Sequence, residues 1–226
     1  IFGKQEYLNF KSSTGSGKTR CAPFFFAIRA LYEKMEQPFF IMTQPSASII
    51  ADKVKDFKKN LGDNVIITNN YYRMLNLYKS KQNKPVIGLF SPQNVLKLHV
   101  KSKEEGIDIF SKTRFCLDEI HERTVDTDVL VAILGKEMRN PSFSLKVLMM
   151  SATPDPRVLK CFDNIEQIEL PESSLFKIDD IKLQVEKSAV NDVVVDQTTN
   201  IICRMANNKF EPGHILIFTS GNQRID

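Results

Sequence analysis

The chain has 226 residues, 42% of them apolar and 26% charged, a balance that fits a folded globular chain and excludes a disordered tail, a collagen-like fibre and a coiled coil. At roughly 150 residues per domain, that length holds one complete core and part of a second. Lysine and arginine number 31 against 27 aspartates and glutamates, a net charge of +4, which permits a polyanionic partner without requiring one.

Short apolar runs rich in β-branched and aromatic residues predict strands at 7–11, 39–43, 65–68, 86–90, 114–117, 145–150, 167–170 and 214–218. Helices are predicted between them at 18–35, 46–61, 94–99 and 127–139, the last with Thr127 and Asp128 as N-cap candidates and Asn140-Pro141 as its stop. Strands alternating with amphipathic segments predict βαβ units, and so an α/β fold with a mostly parallel sheet. The stretch 52–60 alternates charge and apolar residues and reads as a solvated helix face. Polar residues at Pro171-Glu172-Ser173-Ser174, followed by another extended stretch at 176–185, mark the expected domain boundary. We therefore expect a first domain over 1–172, and over 173–226 a linker with the beginning of a second. A start at Ile1, without Met, leads us to expect a piece of a longer chain.

Cys21, Cys116, Cys161 and Cys203 lie far apart, with apolar neighbours such as Phe115, Leu117 and Phe162. They read as buried, reduced thiols in an intracellular, reducing compartment. His99, His121 and His214 have no ligand spacing with them, which argues against a structural zinc site. The longest apolar run, 21–28, is interrupted by Pro23 and falls far below the roughly 20 residues of a membrane span. Lys4 and Glu6 break up the first apolar residues, so no signal peptide and no membrane partner are expected.

After the first strand comes Ser12-Ser13-Thr14-Gly15-Ser16-Gly17-Lys18-Thr19, then a helix. A strict phosphate-loop pattern begins with Gly where this chain has Ser12. The physics does not depend on that position. Gly15 and Gly17 let the backbone curl with its N–H groups inward, and the helix N-terminus adds its positive end. Lys18 places a point charge against the β/γ oxygens, and the Thr19 hydroxyl can ligate Mg²⁺. Thr14, Gly15, Ser16, Gly17, Lys18 and Thr19 are the candidate binding residues for ATP or another NTP. The competing reading, a flexible Gly-Ser turn, has no need of Lys-Thr immediately after it.

The strand at 114–117 ends in Asp118-Glu119-Ile120-His121, at the strand end where α/β sheets bind ligands. Asp118 would hold Mg²⁺ directly or through water, and Glu119 would polarise the water attacking the γ-phosphate. Taken alone, an acidic pair at a strand end is more often a solvated turn than a site. The phosphate loop upstream favours the site.

Asp118 to Thr124, followed by Thr127-Asp128, closely resembles the Asp-Glu-x-His motif and its continuation in the DEAH/RHA (DExH-box) helicases of superfamily 2. Thr43-Gln44-Pro45 is similar to the family's motif Ia, and Ser91 to Leu96 stands where motif Ib belongs. Ser151-Ala152-Thr153 matches its coupling motif, and Gly213 to Gly221 resembles motif IV. The resemblance implies a RecA-like P-loop NTPase domain followed by the beginning of a second RecA-like domain. It implies an ATP-dependent RNA helicase using Mg²⁺, acting on single-stranded RNA or duplex RNA with an overhang. By position it assigns catalysis to Lys18, Asp118, Glu119 and His121, coupling to Ser151 and Thr153, and RNA contact to Thr43, Ser91 and Ser220.

The departures are also informative. Ser46-Ala47 replaces the usual two arginines after Thr-Gln-Pro, Gln93 replaces the motif Ib Gly, and Pro154-Asp155-Pro156 follows Ser-Ala-Thr. With the 175–178 stretch, these features look most like the nucleoside-triphosphate-phosphohydrolase-II helicases of large cytoplasmic DNA viruses, which implies the host cytoplasm or virion. The chain stops at Asp226, before the family's arginine-rich motif VI, and we expect it to bind nucleotide but to hydrolyse it poorly. The alternatives are an ATP-dependent DNA helicase or translocase and a nucleotide-gated RNA-binding module. The intact Lys18, Thr19, Asp118 and Glu119 argue against the module.

Overall fold

A computed structural model describes residues 7–11, 17–140, 146–151, 153, 155–162, 165–169, 196–197, 199–200 and 202–203. The chain divides into two compact units, Ile1–Ser173 and Ser174–Asp226. In the second unit the described residues are helical. The predicted strand 214–218, the stretch 176–185 and Ser220 lie outside the described residues.

The first unit runs β1 (Tyr7–Lys11), α1 (Lys18–Tyr32), β2 (Phe39–Thr43), α2 (Ala47–Leu61), β3 (Ile66–Thr68), α3 (Tyr71–Lys79), β4 (Val86–Phe90), α4 (Pro92–Glu104), β5 (Arg114–Asp118), α5 (Val125–Met138), β6 (Lys146–Ser151), α6 (Pro156–Leu159) and β7 (Glu166–Glu169). The strands form one seven-stranded sheet in the order β3-β4-β2-β5-β6-β1-β7, and every pairing is parallel. This is the α/β architecture expected. β2 and β4 are apolar without alternation and buried along their whole length, as strands covered by helices on both faces must be. At one edge, β7 is exposed throughout, and its Glu169 pairs with Lys11 of β1; a charged, exposed edge strand resists pairing with another chain.

Alternation along the strands sends the two side-chain sets into separate cores. Phe39, Ile41, Phe115, Leu117, Val147 and Met149 pack with residues of α3, α4, α5 and α6. Phe40, Met42, Cys116, Leu148 and Met150 pack with α1 and α2. The register then aligns the strand ends: Thr43 lies opposite Phe90 and Leu117, Asp118 opposite Met150, and Ser151 opposite Lys11. One edge of the sheet therefore collects the ends of β1, β2, β4, β5 and β6.

Several boundaries differ from the sequence expectation. α1 ends at Tyr32 rather than 35, with Lys34 at φ +48°. α5 starts at Val125 because Thr124 is its cap, its side chain accepting from the Thr127 N–H; neither Thr127 nor Asp128 caps it. α4 is longer than 94–99 at both ends, since Ser91 caps it, Pro92 opens it, and Lys101 pairs with Glu104 in its last turn. α3, which no sequence expectation included, is capped by Asn70 and buries Met74 and Leu75. Of the four free cysteines only Cys116 is buried; Cys21 and Cys203 are exposed and Cys161 is half-buried. Cys21 shares the outer stripe of α1 with exposed Phe25, Ile28 and Tyr32, so apolar neighbours in sequence do not bury it. No helix among the described residues is long and apolar enough to cross a membrane.

Gly135 lets α5 approach the turn after α6. A Cβ there would lie 2.5 Å from the Cys161 carbonyl oxygen, a backbone atom that cannot swing aside. Gly135→Ala should therefore destabilise the protein by about 1–3 kcal/mol despite alanine's better helix propensity. Thermal or urea denaturation measures this, and a stabilised Gly135→Ala would refute the close approach.

Candidate active site at the carboxyl edge of the sheet

α1 begins directly after Gly17, which holds φ +79°. A Cβ there would have room, its nearest neighbour being Cys21 Sγ at 3.9 Å, so it is the left-handed backbone that calls for glycine. The first turn of α1 has neither a side-chain cap nor an acidic residue, so no side chain of its own neutralises the positive end of the helix, which suits an anion. Lys18 is buried and Thr19 half-buried beside them. Thr14, Gly15 and Ser16 lie outside the described residues.

Asp118 ends β5, two strands from β1 with β6 between them. Its carboxylate is only 6% exposed. The Gln44 amide donates to Oδ2 at 2.9 Å, the Asp118 backbone N–H donates to Thr43 Oγ1 at 3.3 Å, and Gln44 is itself held by its N–H to the Phe90 carbonyl at 2.9 Å. Oδ1 is buried with no hydrogen-bond partner among the described residues. A buried carboxylate oxygen without a donor is destabilising unless a cation meets it, and this donor set suits a hard cation. No cluster of three His, Cys, Asp or Glu side chains among the described residues could hold a metal. The orphaned Asp118 oxygen suits Mg²⁺ instead, which takes one or two protein oxygens and completes its shell with phosphate and water.

Glu119 comes next in a left-handed conformation, φ +51°, and Arg123 adopts another at φ +46°. Between them lies a short 3₁₀ turn, Ile120–Glu122. Each such residue costs about 1–3 kcal/mol unless its surroundings hold it. Here they do. His121 Nδ1 stands 3.1 Å from Ser151 Oγ and 3.4 Å from Glu119 Oε2, and its tautomer decides which contact it donates to. The same Ser151 hydroxyl accepts the Thr153 N–H at 3.1 Å. Arg123 grips Asp128 through two nitrogens at 2.6 and 2.7 Å and reaches Asp155, the cap of α6, at 2.5 Å. The segment after β5 is thus cross-linked twice to the segment after β6.

The profile of DEAD/DEAH box helicases matches residues 3–162. The chain belongs to the DEAD/DEAH box helicase family. It is 27% identical to a putative ATP-dependent RNA helicase of Saccharomyces cerevisiae (YLR419W), over 100% of this chain and 16% of that protein. It is 28% identical to the putative ATP-dependent RNA helicase DHX57 of Mus musculus, over 87% of this chain and 14% of that one. The chain therefore spans about a sixth or less of the length of these relatives. In fold it is similar to the helicase domain of Pyrococcus furiosus Hef, with a TM-score of 0.51 and 17% identity over 73% of this chain and 36% of that one.

Within this helicase fold the expected site residues take distinct places. Lys18, Thr19, Thr43, Ser91, Asp118, Glu119, His121 and Ser151 all stand at the carboxyl edge, at strand ends or in the turns beyond them. Thr43 is buried with its oxygen accepting from Asp118, while the Ser91 oxygen accepts the Asn94 N–H as the cap of α4. Each keeps its hydroxyl proton as a donor. Sequence reasoning missed Lys53, placed in a solvated face. It lies instead on the stripe of α2 that buries Ile50 and Phe57. Burial pushes its ammonium below the ordinary lysine range, while Asp118 and Glu119 oppose that shift. The i, i+3, i+7 spacing of Ile50, Lys53 and Phe57 was the available signal. Also missed were the clasp roles of Gln44 and Arg123. Asp118, the partner of Gln44, and Asp155, the second partner of Arg123, are distant in sequence, and no local pattern announces them.

Arg123 lowers the carboxyl of Asp128 chiefly through its hydrogen bonds, and Asp155 is held far below the usual range by Arg157 first and Arg123 after it. Carboxyls lowered on folding contribute stability above their unfolded value of about 3.9 and lose it as the pH falls through the folded values. Arg123→Met should therefore melt below wild type at pH 7, with the gap narrowing below about pH 4. A gap unchanged at pH 2 would show that the carboxylates are not what Arg123 stabilises.

Proposed function

We propose that the protein is an ATP-dependent RNA helicase of the DEAH type, in which NTP hydrolysis drives movement along RNA and unwinding. The observation that carries the reading is the unpartnered Oδ1 of buried Asp118, at the same sheet edge as Lys18 and the open first turn of α1. The yeast and mouse relatives are RNA helicases by description, which supports RNA over DNA. The run Asp118-Glu119-Ile120-His121 supports the DEAH type. Ser46-Ala47 and Pro154-Asp155-Pro156 support the viral nucleoside-triphosphate-phosphohydrolase-II group within it, and so work in the reducing cytoplasm of a host.

Lys18 balances the β- and γ-phosphate charge, and the N–H groups opening α1 cradle it. Thr19 and Asp118 hold Mg²⁺, which when bound neutralises charge on the phosphate oxygens. Glu119 accepts the proton of the attacking water, its carboxylate steadied by His121 at 3.4 Å. His121 also meets Ser151, so a change at Glu119 reaches the segment containing Thr153 and Asp155. Thr43 and Ser91 donate hydroxyl protons to RNA phosphates from the same edge.

In the whole protein, Glu119→Gln should still bind nucleotide but lose about 10²–10⁴-fold in hydrolysis rate. Single-turnover hydrolysis and fluorescent-nucleotide binding measure the two separately. Turnover at the wild-type rate would remove Glu119 from the chemistry, and stimulation by DNA but not by RNA would overturn the choice of substrate.

A further inference from the structure

The cavity of about 240 Å³ at the ends of β2, β4 and β5 is lined, among the described residues, by four carboxylates, Asp118, Glu119, Glu122 and Asp126, and by no lysine or arginine. Thr43 and Ser91 in its lining offer hydroxyl donors to a phosphate, but a backbone passing this edge also needs cations beside it, which its described lining does not supply. An adjoining groove of about 440 Å³ shares Gln93 with it and runs from the start of α3 along the length of α4. Tyr71 and Tyr72 line that groove with their rings together, centroids 4.3 Å apart and planes at 31°. Tyr71 is partly buried against the core, and the Asn70 cap fixes the turn that carries both rings. Tyr72 is 54% exposed, so the pair presents a braced aromatic surface to solvent. From α4 come Leu96, Val100 and Lys97. Lys97 has no acidic partner among the described residues, whereas Lys101 is already shared with Glu104 and Glu105.

We propose that this groove is a base-stacking site for single-stranded RNA: a base lies on Tyr72 and Lys97 takes a neighbouring phosphate. The proposal rests on the RNA-helicase reading and extends it from the Ser91–Leu96 stretch to Tyr71, Tyr72 and Lys97, which no motif includes. Stacking on a tyrosine is tolerant of base identity, as a motor that moves along RNA requires. A docked protein helix is the poorer occupant. Lys97, Lys101 and Glu104 interrupt the apolar side chains on every turn of α4, leaving no continuous apolar stripe for it.

Fluorescence anisotropy of labelled oligouridine with the intact protein, without nucleotide, tests this. Tyr72→Ala should bind about 10-fold more weakly and Tyr72→Phe like wild type. Tyr72→Leu, which keeps apolar bulk without a ring, should behave like the alanine variant. On an abasic oligonucleotide of the same length, wild type and Tyr72→Ala should bind equally. Lys97→Gln should lower the slope of log K against log salt by about 0.7. Equal binding of oligouridine by wild type and both ringless variants overturns the stacking site, as does a loss that persists on the abasic strand. If wild type binds neither oligonucleotide, the RNA-helicase reading itself fails, and the proposal with it.

Discussion

Asp118 is a carboxylate that folding has taken out of water with half of its hydrogen-bonding capacity unused. Desolvating an ion costs several kcal/mol unless partners replace the water. Only one oxygen has a partner here, the Gln44 amide. The sheet is what makes the position tenable. β5 lies between β2 and β6, with apolar cores on both of its faces, and the register brings Thr43 and Gln44 to the level of the carboxylate. On the proposed function, a divalent cation is the occupant that would turn that cost into binding energy.

The same constraint organises the segment after β5. The backbone turns immediately through two left-handed residues, Glu119 and Arg123, a path an isolated peptide would avoid. It is held open by two clasps to the far side of β6, His121 with Ser151 and Arg123 with Asp155. Both clasps are short and specific, and neither is deeply buried, so they can rearrange without dismantling the core. On the proposed function, that is the route by which the state of the nucleotide reaches the residues that face RNA.

The chemistry-bearing strand ends were legible because each lies beside its own signal. β2, β4 and β5 are continuous apolar runs that end in Thr43, Phe90 and Asp118, and doubly covered parallel strands have that signature. The order of the strands was not legible, since nothing local says that β6 inserts between β5 and β1. α3 carries Tyr71, Met74, Leu75 and Tyr78 at helical spacing after the Asn70 cap, but it is short and rich in aromatics, which weakens the pattern against a loop. The start of α5 was displaced by about a turn, because Thr124, Asp126, Thr127 and Asp128 compete there and only the backbone path decides among them; α4 starts two residues before the expected 94, after its Ser91 cap. The clasps of Gln44 and Arg123 needed coordinates, since their partners lie 74 and 32 residues away.

If the unpartnered oxygen of Asp118 is a metal ligand for bound nucleotide, metal and nucleotide must bind together through it. Calorimetric titration of a non-hydrolysable ATP analogue, with Mg²⁺ and with chelator, into wild type and the isosteric Asp118→Asn variant tests this most directly. Mg²⁺ should tighten nucleotide binding to wild type, and Asp118→Asn should lose that increment while keeping the metal-free affinity. An Asp118→Asn variant whose affinity still rises with Mg²⁺ as wild type's does would contradict it.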